Sequence, residues 1–465
     1  MSTTDPKTEF AQLRSAAAQR AHPQLSDQFV TSLYERAESI TSQVVQQDAA
    51  VHRFSWDDWA DKIATSRFWG VLSMIVSLSV ILWMTIAGAN VPSALLAEGL
   101  FWVEGQLTTL FQSLGSPDWL HGFFVLGVYR ALAWVVSVML PPMAIFFPLF
   151  TFLEDLGYLP RVAFNLDRLF QRAGAHGKQA LTMAMGFGCN AAGIVSTRII
   201  DSPRERMLAI LTNNFVPCNG RWPTLIAMAT LFIGGAVAMG QTTVAAAVLA
   251  VLVLIGVFVT LVVSWVLSRT VLKGIPSSFA LELPPFRRPN FGRILVRSLI
   301  DRTLKVLWRA MIVAAPAGAL TWVLANIYVG DTALLYHATG AIDGFARAIG
   351  LDGIILMAFI LGMPANEIVL PIMIMGYLSG GAMTELDSMQ ALKSLLVDQH
   401  GWTWLTAVCV MLFSLLHYPC GTTIYTIYKE TKSAKWTTLA GLMPTAIAIG
   451  VCLAVAQLVR GLGWV

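Results

Sequence analysis

The chain has 465 residues, 56% of them hydrophobic and 12% charged, where a soluble domain carries about 25% charged residues. With a mean hydropathy of +0.65, that composition excludes a soluble enzyme and describes a polytopic membrane protein. The net charge of +4 is too small to mark a nucleic-acid binder, and nucleic acid is not expected as a partner.

Residues 1–66 are polar, with nine acidic and six basic side chains. They read as a cytosolic helical head, with LSDQFVTSLYERAESITSQVV its best helix. Such a head is too short for a catalytic domain of ordinary size, and the first apolar run starts too late for a cleaved signal peptide. Residues 67–465 read as the transmembrane transporter domain. Apolar runs long enough to span, about 17–25 residues each, begin near Trp69, Leu120, Leu208, Thr242, Val306, Gly353, Trp402 and Trp436. Shorter or broken runs lie at 142–153 and 182–195. No alternating barrel pattern occurs. The expected fold is therefore an all-α polytopic membrane protein with about eight to ten membrane segments, some of them broken or re-entrant. Between Arg269 and Arg309, nine basic residues stand against two acids. The positive-inside rule puts this loop, taken as 269–305, in the cytoplasm, where it and the head offer docking surfaces for a soluble partner.

LTMAMGFGCNAAGIVSTR, 181–198, is apolar enough for a bilayer, yet three glycines, Cys189 and Asn190 interrupt it. Gly186 and Asn190 are four apart, as are Gly362 and Asn366 in GMPANEIVLP. Pro217-Cys218 follows the first pair and Pro419-Cys420 the second. The two units read as gate repeats, one at about 140–268 and one at about 306–460. Gly and Pro interrupt a membrane helix only where the freed backbone faces protein or a water-filled cavity. Paired breaks in corresponding halves are the best sequence pointer to a transporter's binding site. Gly186, Gly188, Asn190, Pro217, Pro364, Asn366 and Pro419 are therefore candidate gate residues.

Glu367 sits in an apolar run, where a carboxylate costs about 2.5–3.5 kcal/mol at the bilayer centre. Three of the five cysteines, Cys189, Cys218 and Cys420, fall at the breaks; Cys409 and Cys452 lie on plain apolar helices and read as packing. No CxxC spacing occurs. Thiolate, carboxylate and amide oxygen together suit a borderline divalent transition metal, and Fe²⁺, Mn²⁺, Zn²⁺ and Co²⁺ fit equally. Cys189, Cys218, Cys420 and Glu367 are the candidate ligands of a transported ion, with no permanently bound cofactor. His417 reads as a hydrogen-bonded interface residue before it reads as a ligand.

FLEDLGYLPRVAFNLDRLF (152–170), GFGCN (186–190), DSPRERMLAILTNNFVPC (201–218), PANEIVLP (364–371) and YPCGTTIYTIYKET (418–431) resemble the membrane domain of the bacterial ferrous iron transport protein B family. DKIATSRFWG (61–70) is similar to the junction where that family's cytosolic region enters its first membrane helix. The resemblance implies Fe²⁺ passage across the bacterial inner membrane through two gate repeats. It maps the family's gate cysteines onto Cys189, Cys218 and Cys420 and the second-gate acid onto Glu367. Two departures stand out. The family's Val-Pro after Cys-Asn is Ala191-Ala192 here. The Walker pattern is absent, since RAGAHGKQA has Arg172 where the first glycine belongs and Gln179 after the lysine. The expectation is thus a non-enzymatic permease subunit with an amino terminus in the cytoplasm, working with a separately encoded GTPase, bathed in membrane lipid and open to homo-oligomerisation. The alternatives are a carrier of a small organic solute such as a nucleoside, and a non-transporting scaffold.

Overall fold

The computed structural model describes residues 23–44, 56–66, 68–233, 241–274, 286, 289–384, 386 and 388–464. Arg287 and Arg288 of the basic loop and most of the head beyond its helices lie outside the described residues. Two head helices come first, α1 (Pro23–Val44) and α2 (Trp56–Ala64). The second is tied to the membrane part, because Arg161 donates to Asp61 at 2.7 Å and Asn165 to the Ala64 carbonyl at 2.6 Å.

Six described helices are long and apolar enough to cross a membrane. They are α3 (Trp69–Ser113), α4 (Asp118–Leu156), α10 (spanning over Ala245–Arg269), α11 (Phe291–Asn326), the broken segment Trp404–Thr431 and α18 (Ala434–Gly461). Leu334–Ala348 and Gly353–Leu361, bent by 109° at their junction, make a seventh span if taken together. The remaining apolar runs fold as half-helices. The protein is thus all-α and polytopic. Its exposed Trp83, Leu95, Leu254 and Phe258 are explained by a lipid surround. At 45 residues, α3 is about 67 Å long and outreaches a hydrocarbon core of about 30 Å.

Two stretches of the chain repeat one another in detail. The first runs through α5 (Tyr158–Arg172), α6 (Lys178–Gly188) and α7 (Asn190–Ser196). The second runs through α12 (Leu334–Ala348), α13 (Gly353–Leu361), a 3-10 turn at Asn366–Ile368 and α14 (Val369–Tyr377). Equivalent residues are 176 positions apart, as 174 to 350, 186 to 362 and 190 to 366 show. Gly174 and Gly350 both end a helix with positive φ, +73° and +80°, a conformation that favours glycine. Gly177 N–H donates to Asp167 at 2.9 Å, and Gly353 N–H to Asp343 at 2.9 Å. Each repeat then returns through a helix that stops at a proline. The first has α8 (Pro203–Thr212) before Pro217 and α9 (Trp222–Met228) after it. The second has α16 (Trp404–Leu416) before Pro419 and α17 (Gly421–Thr431) after it. The short helix α15 (Met389–Lys393) lies in the second repeat's insert.

The repeats are joined where α4 packs along α11. Their backbones touch: a Cβ on Gly318 would stand 2.3 Å from Ala131 Cβ and 2.4 Å from the Gly127 carbonyl. Small residues permit such approach between membrane helices. Gly318→Ala is therefore expected to destabilise by about 1–3 kcal/mol through overpacking. Gly340→Ala, where nothing lies within 4 Å, is expected to be neutral or stabilising by up to about 1 kcal/mol. Thermal unfolding of both variants in detergent checks the contrast.

Candidate functional site

Each break in the repeats leaves one residue extended and starts a new helix after it. Cys189 (φ −155°, ψ 124°) separates α6 from α7, and Ala365 (φ −150°, ψ 114°) precedes the 3-10 turn leading into α14. Cys218 (φ −89°, ψ 170°) precedes the 3-10 turn Asn219–Arg221 and α9; Cys420 (φ −59°, ψ 159°) precedes α17. Gly186, Gly188 and Pro364 allow the close approaches at these breaks. A Cβ on Gly188 would stand 2.3 Å from Phe146, and Pro364 lies against Gly421, whose N–H donates to the Met363 carbonyl at 2.8 Å.

The breaks meet. The 3-10 turns Asn219–Arg221 and Asn366–Ile368 are in contact, and α4 packs on both. α7 packs beside α17, and α9 beside α14. Four helical segments thus begin at one central region, and a helix start favours negative charge. Glu367 is buried against Gly220, where a Cβ would stand 2.3 Å from its Oε1. No carboxylate–cation pair involves Glu367 among the described residues. Cys189, Cys218 and Cys420 lie within electrostatic range of one another, and Glu367 within range of Cys218 and Cys420. The Cys420 thiol is 3.2 Å from Thr423 Oγ1. Among the described residues, no three His, Cys, Asp or Glu side chains stand close enough together to hold a metal ion. Cys409 and Cys452 are fully buried elsewhere, and the Cys452 thiol is 3.5 Å from the Cys409 carbonyl.

Arg221, only 1% exposed, stitches the breaks together. Its Nη1 donates to the carbonyls of Asn214 (2.7 Å) and Leu415 (2.9 Å). Its Nη2 donates to Asn214 Oδ1 (3.0 Å) and to the carbonyls of His417 and Tyr418 (both 3.2 Å). These carbonyls are freed where α16 and the first repeat's corresponding segment stop short of Pro419 and Pro217, so one guanidinium satisfies both helix ends. Asn214 adds a bond to the His417 carbonyl at 2.6 Å, and Asn213 reaches Asn190 at 3.4 and 3.5 Å. His417 packs on Phe413 and Phe359, with Nδ1 2.9 Å from the carbonyls of Phe413 and Ser414. Around the breaks, Asn213 Oδ1, Asn366 Oδ1, His417 Nε2 and Arg221 Nε are buried without a partner among the described residues.

Sequence reasoning missed Arg221, Asn213 and Asn214. The signal was present, because Arg221 is a charge in an apolar run just as Glu367 is.

The sequence matches two family profiles. The gate profile, described as nucleoside recognition, matches residues 136–232 and 307–434; the profile for the ferrous iron transport protein B C terminus matches 249–301. A protein of Staphylococcus aureus named Fe(2+) transporter FeoB is 30% identical over 405 residues, 83% of this chain and 57% of the relative. A Methanocaldococcus jannaschii protein of the same name is 26% identical over 92% of this chain and 62% of the relative. A Porphyromonas gingivalis protein named Fe(2+) transport protein A/Fe(2+) transporter FeoB fusion protein is 23% identical over 84% of this chain and 50% of the relative. The chain thus spans roughly half to two thirds the length of these relatives. No solved structure matches it.

Lysine offers three donors on one atom and cannot span the acceptors that Arg221 reaches. Arg221→Lys is expected to lose at least two charge-assisted hydrogen bonds, about 3 kcal/mol, and to lower the thermal unfolding midpoint in detergent by several degrees. An unchanged midpoint would refute the clamp.

Proposed function

Starting from this kinship with the gate and C-terminal modules of ferrous iron transport protein B, we propose that the protein is a membrane permease subunit for Fe²⁺. The observation that carries the reading is the convergence of four helix starts on one central region, with Cys189, Cys218, Cys420 and the buried Glu367 at or beside them and, among the described residues, no ion-pair partner for Glu367. Cys189, Cys218, Cys420 and Glu367 are the ligands through which the ion passes, one at or beside each break. Helix starts favour the negative charge of deprotonated ligands, and thiolate with carboxylate suits a borderline divalent metal. Donors too far apart to cage an ion together suit conduction, which needs binding weak enough to release. The buried amide oxygens of Asn213 and Asn366 add oxygen contacts along the way. Gly186, Gly188, Asn190, Pro217, Pro364 and Pro419 shape the breaks as gate residues.

The reading places the protein in a bacterial inner membrane with the basic face and the amino terminus in the cytoplasm. These 465 residues contain no P-loop pattern. Where transport needs GTP hydrolysis, a separate GTPase polypeptide or sequence outside these residues supplies it. The Porphyromonas relative, by name a fusion with an Fe(2+) transport protein A, supports a soluble partner in the same system.

The nucleoside-recognition description of the gate profile favours a second reading, an organic-solute carrier, so uridine serves as the competitor in the test. Anaerobic ⁵⁵Fe²⁺ uptake into proteoliposomes is expected to be saturable, blocked by Mn²⁺ or Zn²⁺ and indifferent to uridine. Cys189→Ser, Cys218→Ser and Glu367→Gln are each expected to lower flux at unchanged protein level by at least about tenfold, the loss that even an outer partner of a metal site brings. Inhibition by uridine, or three variants with wild-type flux, would reject the assignment.

A further inference from the structure

A cavity beside the first break is lined by cations. About 370 Å³ in volume, it is walled by Met185 and Ala192 on either side of Cys189, and by Arg198, Arg302, Lys305, Arg309 and Lys429. Its two acids, Asp301 and Glu430, are already taken. Lys305 holds Asp301 at 2.5 Å, and Arg198 grips Glu430 with two bonds of 2.7 and 2.8 Å. Arg302 is matched from outside the cavity by Glu154 at 3.0 Å, with Thr151 Oγ1 at 3.1 Å orienting it. That leaves Arg309 and Lys429, for which no carboxylate lies within 4 Å among the described residues.

A solvated basic face needs no concavity, and topology signals are met by flat loops. Here the excess charge instead lines a recess the size of a small-ligand pocket, drawn from three separate elements: α7 with the turn after it, α11 and α17. Two unmatched cations facing one recess repel each other and call for a divalent anion. Arginine and lysine together are the usual recognition set for phosphate.

We propose that this vestibule is a binding site for a phosphate-class dianion. The same two cations would repel a divalent metal ion passing Cys189, which lies between the lining residues Met185 and Ala192. A bound phosphate removes that repulsion and places oxygen acceptors beside the exit of the first break. Occupancy of the vestibule thereby couples the anion to cation movement on this face. The site itself is read from the cavity and does not depend on which cargo the protein carries.

The source is either a soluble phosphate or an anionic lipid headgroup, and the test separates them. The purified 465-residue chain is titrated with inorganic pyrophosphate in phosphatidylcholine nanodiscs, with thermal unfolding as the readout and chloride at matched ionic strength as control. Pyrophosphate is expected to raise the midpoint where chloride does not, and Arg309→Gln/Lys429→Gln is expected to weaken binding by at least about tenfold. The variant's own midpoint without ligand shows that it folds. Repetition of the wild-type titration in phosphatidylglycerol-containing nanodiscs assigns the source: a pyrophosphate effect that persists means a soluble anion, and one that disappears means a headgroup already in place. Equal binding by variant and wild type would overturn the proposal, as would a chloride effect matching that of pyrophosphate. Stabilisation by an acidic peptide with none by pyrophosphate would overturn it in favour of a protein partner.

Discussion

The central region depends on a charge with no carboxylate partner. Arg221 is buried among apolar helices, where an isolated cation is costly, and five acceptors answer it: carbonyls at residues 214, 415, 417 and 418, and the Asn214 side chain. The Leu415 carbonyl ends a helix whose next donor would have been Pro419, and the other three lie past the ends of the two returning helices, just before Pro217 and Pro419, where no intrahelical donor reaches them. The two defects therefore cancel. Unpaired carbonyls in lipid would forbid the breaks, and an unpaired guanidinium would forbid the arginine. Together they hold the second halves of the two repeats in register, and that register brings Gly220 against Glu367.

Glu104 makes the contrast plain. It too is a buried acid on an apolar helix, but Arg130 grips it through Nη2 at 2.5 Å and Nε at 3.1 Å. Its charge is spent on joining α3 to α4. Among the described residues Glu367 has no such cation, and its neighbours are a glycine, two thiols in electrostatic range and an asparagine whose oxygen finds no partner among them. One acid is architectural; the other is left available.

Much of this was legible because the chain states it twice. Gly186 to Asn190 and Gly362 to Asn366 disclose the breaks through spacing alone, and Pro-Cys marks the returns. The all-α membrane class follows from composition. Less legible was the number of spans, because apolarity is shared by a helix that crosses and by a half-helix that stops midway: the run near Leu208 folds as α8 and α9 around Pro217. Arg221 is legible as a charge in an apolar run, but its role is not, because its partners are mostly backbone carbonyls, which carry no residue-type signature. The vestibule was hidden for another reason. Arg198 and Lys429 are 231 positions apart, and the packing of α7 beside α17 brings them to the same cavity as Arg309 of α11.

The repeats also differ where it matters to the proposed route. At equivalent positions the first hairpin reads Cys189-Asn190-Ala191 and the second Ala365-Asn366-Glu367. The asparagine is kept, while the metal-type donor has moved from the residue before it to the residue after it. Cys189 is extended, and Glu367 lies one step into the 3-10 turn, so the two donors approach the centre from different heights along their breaks. At the returns both repeats keep cysteine. A strictly symmetric pair would present equal ligands to both sides and favour an ion resting midway. On the proposed route, sulfur on one hairpin and carboxylate on the other would make the two directions unequal, with the Cys189 hairpin the one beside the basic vestibule. A borderline cation moving along that route would exchange ligand type as it goes, and that gradient would be set by two residues, Cys189 and Glu367, at non-equivalent positions of two otherwise matching hairpins.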